Sequence, residues 1–290
     1  MTRRFLGALA GLLLAGCAAS EVEARPPVWV VRDADSELVL FGSVHVLPPG
    51  LDWRPEQLDA ALAKADDLWF ELPIDPASEA KVGQLAVAHG LLPEGQSLSS
   101  LLSPEGRKRL EAASTDLGLS LAMLDRLEPW FAEVALAGAQ FQKAGANASS
   151  GVEKTISASA PASARRRAFE SPEEQIAIFD AAPLPEQIAS LEQSLVELND
   201  NPKAYDELVA HWMAGDLKAL DEDALGPLRT AAPGLYARLV TDRNERWLRA
   251  LKARLDGSGR TVVVVGVGHL VGQDGLPTRL RALGYEVEGP

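Results

Sequence analysis

Residues 260–275 read RTVVVVGVGHLVGQDG. Four consecutive valines after Arg260 and Thr261 are β-branched and apolar, the signature of a strand buried on both faces. The strand runs into Gly266, Gly268 and His269. Three readings compete: a phosphate-binding turn, a packed core histidine, and half of a catalytic site. A dinucleotide turn of the form G-x-G-x-x-G needs its third glycine at position 271, where Val271 stands. Too little chain follows for a further strand, a crossover and a ribose-binding acid, which removes the first reading.

A second stretch bears on the other two. Residues 37–50 read ELVLFGSVHVLPPG, so another apolar strand ends in Gly42-Ser43-Val44-His45. The chain has 4 histidines, and two of them follow strands through the same Gly-x-x-His spacing. Glycine at a strand end lets a neighbouring chain or a ligand approach closely. An imidazole at the sheet rim suits metal ligation or proton transfer. One such histidine reads as packed core; the matched pair, His45 and His269, reads as a site. His89 and His211 lack this context and read as helix-surface or second-layer residues.

Working outward, apolar runs at 28–32 and 37–42 around Ala34-Asp35-Ser36 predict a hairpin. The spacing predicts a helix over 55–64 and a strand over 67–72. Helices are predicted over 76–89, 104–117 and 127–144. Residues 145–164, rich in Gly, Ala and Ser, read as a loop with one helical turn, and 164–169 as a strand. Ser171-Pro172-Glu173-Glu174 is a helix start, with an N-cap serine and proline in the first turn. Helices are then expected over 172–180, 184–199, 202–213, 216–223 and 233–256. A strand at 261–266, a helix at 275–283 and a strand at 284–288 close the chain. Strands at both ends around a helical middle predict an α/β fold: a central mixed sheet built from N- and C-terminal strands, with a large helical insertion. Residues just beyond strand ends then line the site.

Two acids fall at such places. Glu71 ends DLWFEL, and Glu170 ends RRRAFE just before the helix cap. Each can be a ligand, a general base or a solvated acid. Imidazole and carboxylate donors are consistent with Mn, Co, Zn or Fe, not with a thiolate site. No G-x-S-x-G elbow and no H-E-x-x-H occurs. Arg243 and Asn244 lie in a helical pattern and, by themselves, read as a solvated polar face.

The chain has 290 residues, 47% of them apolar, and a net charge of −13. Length and composition allow a sizeable core. The acidic balance argues against nucleic-acid binding and against polybasic membrane attachment. Arg3 and Arg4, the apolar run from Phe5 to Leu13, and Leu14-Ala15-Gly16-Cys17 make residues 1–16 a secretory signal peptide. The LAGC stretch resembles a bacterial lipobox, which implies cleavage before Cys17 and lipidation of that residue. Cys17 is the 1 cysteine, so no disulfide forms within the chain. Residues 17–26 read as a lipidated tether and 27–290 as one domain. Ala18 in place of Asp favours the periplasmic face of the outer membrane.

Six blocks carry a family resemblance: LVLFGSVHVLPPG, DLWFELP, SGVEKTI, FESPEEQ, TDRNERW and VVVVGVGHLVGQDGLPTRLRALGYEV. In order and spacing the chain, over about residues 28–288, resembles the TraB/GumN family, which includes the Tiki-type metalloproteases. The resemblance implies a fold like that of the erythromycin-esterase and ChaN group. It implies a divalent-metal-dependent hydrolase, peptidase-like, with Mn, Co or Zn held by His45, His269, Glu71 and Glu170. Whichever of Glu71 and Glu170 the metal leaves free would be the base, and Arg243 or Asn244 would stabilise an oxyanion. Ser43 stands where the family often has Thr. Glu153 stands where an Asp is common, and it is not counted among the expected site residues. Two other functions stay open: a non-catalytic envelope lipoprotein that binds peptides or polysaccharide-related ligands, and an esterase acting on a small molecule.

Overall fold

The structure, a computed structural model, describes residues 25–290. The signal peptide, Cys17 and most of the tether lie outside the described residues. Six strands form the core: β1 (Val28–Arg32), β2 (Ser36–Ser43), β3 (Asp67–Phe70), β4 (Arg165–Ala168), β5 (Gly259–Gly266) and β6 (Val287–Glu288). The principal helices are α1 (Glu56–Leu62), α2 (Pro76–His89), α3 (Pro104–Asp116), α4 (Pro129–Lys143), α5 (Val152–Ser159), α6 (Pro172–Asp180), α7 (Leu184–Asp200), α8 (Ala204–Ala214), α9 (Asp242–Leu255) and α10 (Leu276–Ala282).

The strands form one mixed sheet in the order β4-β3-β5-β2-β1-β6. The hairpin forms as expected. Asp33 Oδ1 accepts from Ser36 N at 2.8 Å and from Ser36 Oγ at 2.7 Å, which turns β1 back into β2. β2, β3, β4 and β5 run parallel, while β1 is antiparallel to both β2 and β6. β5 lies between β2 and β3 with both faces covered, so its sequence is an unbroken valine run rather than an alternation. Val262 and Val264 face a core with Phe41, Trp53, Leu68 and Trp212. Val263 and Val265 face the opposite layer, against Trp247, Leu251, Leu276 and Leu280.

The insertion between β3 and β4 and the chain beyond α6 pack helix on helix. α3, α4 and α7 share a third core of Leu110, Leu136, Leu191 and Leu195, apart from the sheet. This layering puts the carboxyl ends of all four parallel strands on one edge, beneath the helices.

Three expectations need correction. The stretch 145–164 is not a loop with a single turn: Asn147 caps a 3-10 turn, and the helix α5 follows over 8 residues. Val152 and Ile156 are spaced by one helical turn and are fully buried in the sheet's core, which fixes that helix despite its small residues. The helix expected over 216–223 is short, Leu217–Ala219, and passes into wide π-helical turns at Leu220–Leu225 before Gly226-Pro227 starts another helix. The long helix expected over 233–256 likewise contains wide turns at Ala237–Thr241 before α9. Such turns insert an extra residue and re-aim the helix face that follows.

Candidate functional site

The register brings the two Gly-x-x-His turns side by side. Ser43 pairs with Gly266 at the end of the β2/β5 ladder. His45 therefore projects two residues beyond β2 and His269 three residues beyond β5. Phe70 pairs with both Val264 and Ala168, and the ladder extends through Glu170 N to Glu71 O at 2.9 Å. One sheet edge thus carries both histidines and both acids.

Gly266 is the common floor. Its N–H donates to Glu71 Oε1 at 2.6 Å. A Cβ there would lie 3.2 Å from Glu71 Oε1, a tight approach, and in ordinary contact with His45 Nε2 at 3.5 Å. Gly151 is needed for a similar reason: a Cβ would sit 2.0 Å from the His45 carbonyl oxygen. That close approach seats the start of α5 against the first turn and delivers Glu153.

Glu153 organises His45. Its Oε1 lies 2.6 Å from His45 Nδ1 and accepts from Ser43 Oγ at 2.5 Å. The carboxylate holds the ring with Nδ1 protonated and leaves Nε2 turned toward Gly266 and Glu71. The His45 side chain is 64% exposed, while that of Glu153 is only 12% exposed. The Glu153 charge, joined by its hydrogen bond to the ring, raises the His45 pKa to about 9. The same pair holds Glu153 below the usual carboxylate range, against its own burial.

His269 is organised differently. Asn244 Nδ2 donates to the carbonyl oxygens of His269 at 3.1 Å and Asp274 at 2.8 Å. Asn244 Oδ1 therefore faces His269 Nδ1, at 2.7 Å, as an acceptor. Nδ1 carries the proton, and Nε2 accepts from Arg243 Nη1 at 3.0 Å. The ring is buried against Trp247, with centroids 4.4 Å apart. Burial, reinforced by the Arg243 charge and opposed by Glu71, lowers its pKa to about 3. His269 is neutral where His45 is charged.

Arg243 is the hub. Its Nε and Nη2 grip Glu170 at 2.8 and 2.9 Å, and Nη2 also reaches Glu71 Oε2 at 2.5 Å. The guanidinium lies over Trp247, 4.6 Å from the ring centroid. Bidentate pairing of this kind is the strong form of a charged hydrogen bond. Burial alone would push Glu71 up, but the charge of Arg243, joined by the nearby histidines, holds it well below the usual carboxylate range. Glu170 also accepts from Trp247 Nε1 at 3.1 Å.

The structure therefore gathers all six expected residues: His45, Glu71, Glu170, Arg243, Asn244 and His269. Arg243 and Asn244 are 3% and 0% exposed, which corrects their reading as a solvated helix face. The available signal was the stripe Arg243, Trp247, Leu251, Leu255, in which an arginine opens a buried face at four-residue spacing. Glu153, left out at the sequence level, belongs to the site. Its signal was its place two residues past the Gly151 constriction, within the SGVEKTI block. His89 and His211 stand apart, each half-exposed beside Asp180 at 3.2 Å and Asp216 at 3.8 Å.

A cleft of about 520 Å³ opens beside the site, with His45, Glu71 and Glu153 at its polar end. Trp130, Phe131 and Phe179 form much of the rest of its lining. Volumes of this size hold small-molecule or peptide ligands.

Both histidines have Nδ1 anchored and Nε2 directed inward, as metal-binding histidines do. The remaining donors do not match that pattern. Arg243 engages the His269 Nε2 lone pair, one oxygen of Glu71 and both oxygens of Glu170. Among the described residues, no three His, Cys, Asp or Glu side chains are grouped to hold a metal ion. As arranged, the guanidinium stands where the carboxylates and His269 would have to converge on a cation, and the donor set does not fit one.

Comparison with known proteins agrees with the motif reading. The uncharacterized protein YbaP of Escherichia coli (strain K12) is 26% identical over 258 residues, covering 88% of this chain and 92% of the relative. YbaP of Shigella flexneri is 28% identical over the same length and coverage. An uncharacterized protein of Treponema pallidum (strain Nichols) is 24% identical over 262 residues, covering 86% of this chain and 78% of its own. No solved structure matches the chain. The model of the TraB/PrgY/gumN family matches residues 27–289, nearly everything beyond the N-terminal segment, and the chain belongs to that family.

Proposed function

We propose that this protein is an envelope hydrolase of amide or ester bonds, peptidase-like in its substrate, tethered through lipid on Cys17 at the periplasmic face of the outer membrane. The observation that carries the chemistry is the His45 imidazole, backed by Glu153 and open to the cleft beside Glu71. No described helix is long and apolar enough to cross a membrane, and the tether reading rests on the LAGC stretch alone.

A substrate carbonyl placed over Gly266 meets a proton donor and an anion together. His45, charged at neutral pH, donates Nε2–H to the carbonyl oxygen and stabilises the negative charge that develops there. Glu71 Oε1 faces the same point and accepts a proton from the attacking water. His45 then gives its proton to the leaving nitrogen or oxygen. The proton on Glu71 returns to His45 as product leaves, so one water is consumed and both groups are restored. Arg243 fixes Glu71 in place, and His269 with Asn244 fixes Arg243.

General acid–base groups contribute roughly 10²–10⁴-fold to rate. His45→Gln should therefore lose about that factor against peptide amides and p-nitrophenyl esters, with the folded structure intact by circular dichroism. Undiminished hydrolysis by that variant would remove the assignment.

A second reading keeps a divalent cation, because the anchored Nδ1 atoms of His45 and His269 match the second-layer pattern of ligating histidines. It requires Arg243 to leave His269 Nε2. Elemental analysis of the purified chain for Mn, Co and Zn, with chelator-treated protein beside it, decides between the two.

A further inference from the structure

The opposite edge of the sheet, where the parallel strands begin, carries a second cluster of charge. Asp67 opens β3 and is 2% exposed. It stands in register with Arg165 of β4 and with Thr261 of β5. Its Oδ1 accepts from Arg165 Nε at 2.9 Å and from Arg167 Nε at 3.0 Å, and its Oδ2 from Arg165 Nη2 at 2.8 Å. Arg254 of α9 brings a third guanidinium. Its Nε lies 3.6 Å from Asp67 Oδ2, and its Nη1 donates to Ser258 O at 2.8 Å. With Trp69, these residues line an open cleft of about 430 Å³ whose walls come from β3, β4 and α9.

β4 is an edge strand, and charged side chains on such a strand discourage pairing with another chain. That accounts for the exposed ends of Arg165 and Arg167, but two observations go further. The first is unbalanced charge. Three arginines line the cleft against one carboxylate, Asp67, in a chain whose net charge is −13. The neighbouring Asp66 is exposed, accepts from the backbone N–H of Arg260 at 2.8 Å and does not line the cleft. Arg166 donates instead to carbonyl oxygens at Ser157, Ala160, Pro161 and Ala164. Among the described residues, neither terminal nitrogen of Arg167 has a partner.

The second is a surplus of buried donors. Among the described residues, six buried side-chain polar atoms lack a hydrogen-bond partner, and four of them fall here: Trp69 Nε1, Arg254 Nε and Nη2, and Thr261 Oγ1. A buried donor without an acceptor bears the full cost of its desolvation, so a concentration of them marks a place where a bound group supplies acceptors.

We propose that this cleft binds the phosphate group of a phosphomonoester. Three arginines against Asp67 leave two positive charges, and such a phosphate carries a charge of about −1.5 to −2 at neutral pH. Guanidinium forks suit its oxygens, and Asp67 already holds two of the forks in place, so little side-chain freedom is lost on binding. A lone carboxylate ligand would leave one of the two charges unmatched. The cleft lies at the opposite strand ends from His45 and stands independently of the hydrolase reading.

Isothermal titration calorimetry of the full chain as produced, at fixed ionic strength, tests this with inorganic phosphate, glycerol 3-phosphate and acetate. Both phosphates should bind one to one and at least about tenfold tighter than acetate. Arg167→Gln, at a side chain 53% exposed, should weaken phosphate binding about tenfold with the fold intact by circular dichroism. Arg249→Gln, 67% exposed on the same helix as Arg254 but outside the cleft, should leave it unchanged. Sedimentation with phosphatidylcholine vesicles, with and without phosphatidic acid, identifies the carrier of the phosphate. Extra binding to the phosphatidic acid vesicles that Arg167→Gln abolishes assigns a lipid headgroup. Tight glycerol 3-phosphate binding without that extra binding assigns a soluble ester. Absence of phosphate binding, no preference over acetate, or an equal loss in the two arginine variants would overturn the site.

Discussion

The two Gly-x-x-His turns begin alike and end in opposite states. Each follows a buried parallel strand, and the strands are paired through Ser43 and Gly266. Yet His45 is open to the cleft and charged, while His269 is buried and neutral. The difference lies in what backs Nδ1. A carboxylate, Glu153, stands behind His45, and an amide, Asn244, stands behind His269. A carboxylate stabilises the imidazolium; an amide oxygen fixes the tautomer without adding charge. The same local motif therefore supplies an exposed proton donor on one side and a buried positioning group on the other.

The largest effects should fall unequally on the two turns. Replacing His45 by Gln should cost activity by the factor given above, with a modest fall in thermal midpoint from the lost pair with Glu153, which is open to solvent on the His45 side. On the buried side, beside His269, Arg243→Met in α9 should instead cost stability. It would leave the buried carboxylates of Glu71 and Glu170 without their cation, and breaking a buried pair in this way costs about 3–5 kcal/mol. Urea denaturation checks it. A loss below about 1 kcal/mol would show that Arg243 is not the hub of the buried half.

The pH dependence of stability separates the halves as well. His45 has a folded pKa raised to about 9, so its contribution is complete below the unfolded value near 6.5 and is lost as pH rises through 9. His269 has a folded pKa lowered to about 3, so the folded state resists the proton that the unfolded state takes up. Its contribution is present above pH 6.5 and is lost as pH falls from there toward 3. Glu71, also lowered, adds loss on the acid side. Unfolding measured from pH 4 to pH 10 should show both limbs. His45→Gln should flatten the alkaline limb alone.

The ease of reading these residues from sequence follows the same division. Both histidines, Glu71 and Glu170 were legible because each lies within three residues of a strand end, where local sequence fixes position. The sheet was legible for the same reason, through its valine run and the Asp33 turn. Arg243 and Asn244 were illegible from their own surroundings, since a charged helix segment is ordinarily solvated. Only tertiary packing of α9 under the sheet buries them, and the family resemblance supplied what periodicity did not. Glu153 was set aside because an Asp is common at its place in the family, and its helix was not expected because residues 145–164 lack the apolar density that marks one. Its helix exists because Val152 and Ile156 find a core already built by residues far away in sequence. The wide turns at Leu220–Leu225 and Ala237–Thr241 have no sequence signature and depend on packing alone.

The smallest expected effects are the sharpest test of the comparison, because they exchange the backing groups without removing a histidine. Glu153→Gln replaces the carboxylate behind His45 by an amide, the kind of partner that His269 has. The His45 pKa should fall from about 9 toward 6.5, and the alkaline limb of the activity profile should move down with it. Activity at pH 6 should then change little, whereas activity at pH 8 should drop several-fold. Asn244→Asp makes the reverse exchange and should raise the His269 pKa from about 3, since the new charge opposes the burial that holds it down. The imidazole carbon-bound proton resonances of the two histidines, followed by NMR across pH, report both shifts directly. If Glu153→Gln left the His45 titration in place, the carboxylate would not be the source of its charge. The asymmetry between the two turns would then have to come from exposure alone.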